Sequence, residues 1–174
     1  MQYRIPEKMA WGLFKGEQKI VLGPGMHEVK DYLVLHKVVS TEPYMNTFYF
    51  SDANLYPKEK VTVTCLIRVR MQIKEPEKYI FCEQKIEGDN DELKPAVNGE
   101  LFVEETLIAA ARKTFKTLSY KRLQETYPAF TDVYNDSLFV DAVKQCRSIG
   151  VIISHLEIAV IDVNKKVEIE EDEE

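Results

Sequence analysis

Basic residues are in the minority here: 23 Lys and Arg stand against 29 Asp and Glu, for a net charge of −6. Nucleic-acid binding rests on clustered Lys and Arg that neutralise phosphates, so no nucleic-acid partner is expected. The same acidity disfavours simple electrostatic attachment to anionic lipid. Cysteine is scarce. Cys65, Cys82 and Cys146 are scattered and form no CxxC pair, which argues against a zinc knuckle. They are expected to be buried structural thiols in a reducing compartment. No apolar run approaches the roughly 18 residues that a spanning helix needs. The opening MQYRIPEKMAWG lacks the apolar core of a signal peptide. These absences predict a soluble, cytoplasmic protein with no transmembrane segment.

Catalytic signatures are missing as well. There is no GxSxG, HExxH, P-loop or GxGxxG pattern. His27, His36 and His155 lie far apart and are expected to be structural or surface residues, although Cys65 and His155 could meet in space. Glu104 and Glu105 are adjacent, so on a helix they point to different sides and make no acid/base pair. The loop Gly88-Asp89-Asn90-Asp91-Glu92 resembles a calcium loop only superficially. The expectation is no catalytic residue, no cofactor and no metal: not an enzyme.

What is present is ample core material. Hydrophobic residues make up 45% and aromatic residues 10% of the 174 residues, enough for one domain. The reading is a single domain over residues 1–165 and an acidic, solvated tail over 166–174, with no internal repeat or linker. Residues 9–14 and 17–22 read as strands around a hairpin tip at Lys15-Gly16. Gly23-Pro24-Gly25 forces a corner, because Pro fixes φ and Gly admits positive φ. Extended stretches follow at 26–29, 32–39 and 47–50, then a loop at 51–58.

Residues 61–73 form the strongest strand. Val61, Val63, Cys65, Ile67, Val69, Met71 and Ile73 share one face, and Thr62, Thr64, Leu66, Arg68, Arg70 and Gln72 the other. Pro76 among acids opens a short helix, read as continuing over 78–86 with Tyr79, Ile80 and Cys82 buried; 88–99 reads as a polar loop. Helices are expected at 100–118, at 120–127 behind a Ser119 cap, and at 137–148 behind Asp136, with Gly150 as a left-handed stop. Residues 151–163 read as a last strand, apolar on both faces for part of its length.

Two groups stand out as interface candidates. Tyr44, Phe48, Tyr49 and Phe50 gather beside Met45, for core packing or as an exposed patch for a protein partner or a membrane surface. Arg68 and Arg70 share a polar strand face, for a salt-bridged surface or an inter-subunit contact.

The ordered set of Gly16, Gly23-Pro24-Gly25-Met26-His27, the 61–73 strand with Glu75-Pro76-Glu77-Lys78, the 107–123 helical stretch, and Ile149-Gly150-Val151-Ile152-Ile153 running on to Ile161-Asp162 resembles the band-7 (SPFH) domain of stomatins, prohibitins and flotillins. It covers residues 7–165. The resemblance implies an α+β fold: an antiparallel β-rich N-terminal half, helices packed on the sheet and a C-terminal strand. It also implies side-by-side self-association rather than catalysis. Family members usually carry an N-terminal membrane anchor and a long C-terminal coiled coil. This sequence shows neither, so anchoring and coiled-coil ring formation are not carried over. The expectation is a scaffold subunit, a homo-oligomer building a ring, cage or tube or docking on a larger complex. The alternative is a monomeric protein-binding adaptor.

Overall fold

The computed structural model describes residues 2–29, 33–82, 85–87, 93–95 and 99–165, with side chains for 2–29, 33–82 and 99–161. Eleven strands and four helices are described, in the order β1 (Gln2–Ile5), β2 (Met9–Lys15), β3 (Gln18–Leu22), β4 (Gly25–Glu28), β5 (Val34–Ser40), β6 (Tyr44–Asp52), β7 (Val61–Ile73), α1 (Pro76–Ile80), β8 (Lys85–Glu87), β9 (Leu93–Pro95), α2 (Gly99–Lys116), α3 (Tyr120–Thr126), β10 (Thr131–Asp132), α4 (Ser137–Ser148) and β11 (Val151–Lys165). The class is α+β with antiparallel pairing, as expected. The acidic tail and the Asp89 loop lie outside the described residues.

The chain divides into two compact units, one of residues 1–44, 71–106 and 143–153, the other of 45–70, 107–142 and 154–174. In the first, β2 lies between β3 and β5, and β1 pairs with β4. The Lys15-Gly16 tip turns with Gly16 at φ +61°. The Gly23-Pro24-Gly25 corner does more than join two strands of one sheet. β3 pairs with β2 and β4 pairs with β1, so the corner hands the chain from one sheet to another. His27 Nε2 donates to the Gly23 carbonyl at 2.8 Å and holds the corner shut.

Gly12 on β2 has no Cβ because Ile80 of α1 occupies that space; an added Cβ would sit 2.3 Å from Ile80 Cγ2. Helix α1 starts at Pro76 and buries Tyr79 and Ile80, and Cys82 beyond it is buried too. It does not run on to residue 86. It is a single turn, and the ring of Phe81 at its end meets Phe14 edge-on at 5.4 Å and stacks on His36 at 5.4 Å. Those aromatic contacts outweigh the marginal propensity of so short a helix. Residues 85–87 are then a strand, paired with 93–95 inside the stretch read as a polar loop.

In the second unit, strands pair in the order β10-β11-β7-β6. The seven inward residues of β7 are each at most 3% exposed, so its alternation is realised over its whole length. The C-terminal half of α2 supplies the other side of this core. Phe115 is fully buried, stacked on Phe50 of β6 at 6.1 Å and tilted against Tyr127 at 5.8 Å. The last carbonyls of a helix have no partner within it. Here the Tyr56 hydroxyl serves one of them, its hydrogen shared between Phe115 O at 2.9 Å and Leu118 O, just past the helix end, at 3.0 Å. Ser119 caps α3 as expected, its Oγ accepting from Arg122 N at 3.2 Å. In α4 the inward aromatic is Phe139, which is fully buried.

Strand β11 alternates in two phases. Val151 and Ile153 point inward, then Leu156, Ile158 and Val160 do, so one extra residue is accommodated near Ser154-His155. Ala159 is buried as well, so both faces are covered there, as the apolar pattern implied.

Candidate assembly surface

Strand parity sorts the aromatic group. Phe48 and Phe50 are buried in the core, whereas Met45 and Tyr49 are 51% and 69% exposed. Tyr44 is half-buried; its hydroxyl is bonded to Tyr79, and burial raises its pKa above the ordinary 10.0. Ser51 Oγ and Thr64 Oγ1 share a hydrogen bond at 2.9 Å. That bond shows that the odd-numbered side chains of β6 and the even-numbered ones of β7 share one outward face. Met45 and Tyr49 are therefore on the same side as Leu66, Arg68 and Arg70.

Arg68 is half-exposed and tied down. Its Nε donates to Glu157 Oε2 at 3.0 Å, its Nη2 donates to the same oxygen, and its guanidinium lies 4.0 Å above the centroid of Phe130. His155 Nε2 donates to the other oxygen, Glu157 Oε1, at 2.6 Å. Antiparallel pairing of β10 with β11 sets Asp132 opposite Glu157. Arg70, two residues on from Arg68, is exposed, and no ion pair involves it among the described residues. The face thus runs from an exposed apolar margin on β6, through the exposed Arg70, to a fixed Arg–Glu–His cluster. The sequence could not show the Arg68–Glu157 pair, whose members are 89 positions apart.

The hydrogen bonds from Arg68, then those from His155, hold the Glu157 carboxyl below its ordinary 4.5. A carboxylate with a depressed folded pKa adds stability that is present above pH 4.5 and is lost as pH falls through the folded value. The group is close to solvent, so the effect on stability is small. The clear readout is an NMR titration. The Glu157 carboxyl should titrate below 4.5, and Arg68→Gln should move it up; an unmoved midpoint would show that the pair does not form in solution.

Elsewhere the chemistry is quiet. Burial pushes the Cys65 and Cys146 thiols up to about 12, so neither offers a thiolate at neutral pH. Cys65 lies on the inner face of β7 and His155 on the outward side, so the two do not form a pair. In the first unit, a cleft of about 620 Å³ lies among Met9, Lys19, Val21, Pro24, Glu77 and Phe81, with no His or Cys in its lining. Among the described residues no cluster of His, Cys, Asp and Glu has the arrangement to hold a metal ion, and no helix is long and apolar enough to cross a membrane. Comparison with protein-family models gives no match for this chain, and comparison with curated proteins gives none either.

Proposed function

We propose that this chain is a non-enzymatic scaffold subunit with a band-7-like domain, acting by lateral self-association or by docking on a larger complex. The observation that carries the reading is the outward face of the β6–β7 pair. Met45 and Tyr49 stand exposed there beside Arg70, which has no ion pair among the described residues. Large apolar side chains rimmed by polar and charged groups are the usual make-up of a protein-binding surface, and Tyr and Arg are the residues that most often anchor one. The order of strands and helices that motivates the band-7 resemblance supports the same reading.

Light scattering over a roughly hundredfold range of concentration tests it. The expected result is a discrete mass well above 20.2 kDa. Arg70→Glu should lower that mass by weakening the contact and leave the far-ultraviolet circular dichroism unchanged, because Arg70 is exposed. A 20.2 kDa species at every concentration would refute self-association and favour a monomeric adaptor.

A further inference from the structure

The two larger sheets have four edges, and three are blunted. β10 is two residues long. β3 begins with exposed Gln18 and Lys19. β5 carries Lys37 and a bulge: Leu35 pairs with Leu13 and Lys37 with Gly12, which leaves His36 as the extra residue. Short strands, lysines and bulges are the devices that keep sheet edges from adding a strand. The fourth edge, β6, has none of them, and among the described residues no strand pairs with its outer side. It is nine residues long, with no Pro, Lys or Arg, and it ends the order β10-β11-β7-β6. The N–H of Thr47 is met by the side chain of its own neighbour, Asn46 Oδ1, at 2.8 Å. In a strand the N–H groups alternate in direction, so Thr47 and the other odd-numbered residues present their backbone to the open side.

We propose that β6 is the site where a second copy of this chain adds, antiparallel, β6 against β6 across a two-fold axis. The proposal rests on the self-association reading and names its contact. Charge selects this occupant. The one charged residue of β6 is Asp52, at its end, already paired with Arg112 at 3.5 Å. With the axis at Phe48, Asp52 falls opposite Tyr44 of the second copy, and no like charges face each other. Tyr49 falls opposite Thr47, an aromatic beside a β-branched residue on the outward face, which is a favourable cross-strand combination. A two-fold contact of this kind is self-complementary and closes on a pair.

The test uses the full chain and two variants, Thr47→Pro and Tyr49→Lys, each checked for an unchanged circular dichroism spectrum and then weighed by light scattering. Thr47→Pro removes an outward N–H and leaves pairing with β7 intact; Tyr49→Lys puts a charge on the exposed flank. The expected result is a wild-type mass at an even multiple of 20.2 kDa, halved in both variants. Should Thr47→Pro fail to fold, Tyr49→Lys alone decides. Folded variants that keep the wild-type mass overturn the β6 contact and leave self-association standing. A wild type that stays at 20.2 kDa overturns both.

Discussion

Gly150→Ala should destabilise the protein by about 2–5 kcal/mol, combining a left-handed backbone penalty of about 1–2 kcal/mol with about 1–3 kcal/mol of overpacking. Gly150 follows α4 with φ +80°, a conformation that a side chain resists. A Cβ there would also lie 2.5 Å from both the Cβ and the carbonyl oxygen of Glu75. Neither can yield cheaply, because the Gly150 carbonyl accepts from Lys74 N at 2.7 Å and Glu75 N at 3.1 Å and pins the two segments together. For a chain of this size the loss reads as a fall in melting temperature of roughly 5–15 °C. Gly16→Ala is the control. Its φ is +61°, but nothing lies within 4 Å of its missing Cβ, so only the backbone penalty applies. Equal losses in the two variants would mean that the close approach at Glu75 does not exist in solution.

Phe115→Ala should cost about 3–5 kcal/mol, the range for truncating a fully buried aromatic. Its ring is 0% exposed and joins Phe50 and Tyr127 into one stack. Removing it leaves a cavity at the point where the C-terminal turn of α2 meets the sheet. The same turn is held by Tyr56, so collapse into the cavity would break those hydrogen bonds too. Urea denaturation measures the loss, with Met26→Ala as reference. Met26 is 60% exposed and lies outside the proposed contact, and its truncation should stay within about 0.5 kcal/mol. A small loss at Phe115 would show that this core is loosely packed.

Local physics made much of the fold legible. β7 was readable from end to end because thirteen residues alternate without a break and one face is buried throughout. Ser119 and Gly150 were readable because a cap and a left-handed stop each call for a particular residue type. The hairpin of β8 and β9 was not: three-residue strands carry too little pattern, and the contacts of Phe81 that end α1 come from residues far away in sequence. β10 escaped for the same reason. At the candidate surface, the aromatic group was visible but its division was not, because the start of β6 at Tyr44 fixes which side chains turn inward. Arg68 was visible as an outward cation. Its carboxylate, its histidine and its aromatic cover come from β11 and the segment before β10, and no local pattern announces such a set.

The position of β7 between β6 and β11 has a consequence for how the chain is made. β6 emerges just before it, but β11 begins at Val151, nearly eighty residues after β7 ends at Ile73. At roughly 5–20 residues per second, one flank of the most apolar strand waits several seconds for its neighbour during synthesis. Closing so long a loop is also slow once the chain is free. The strand that is easiest to recognise is therefore the one a growing chain must shield longest.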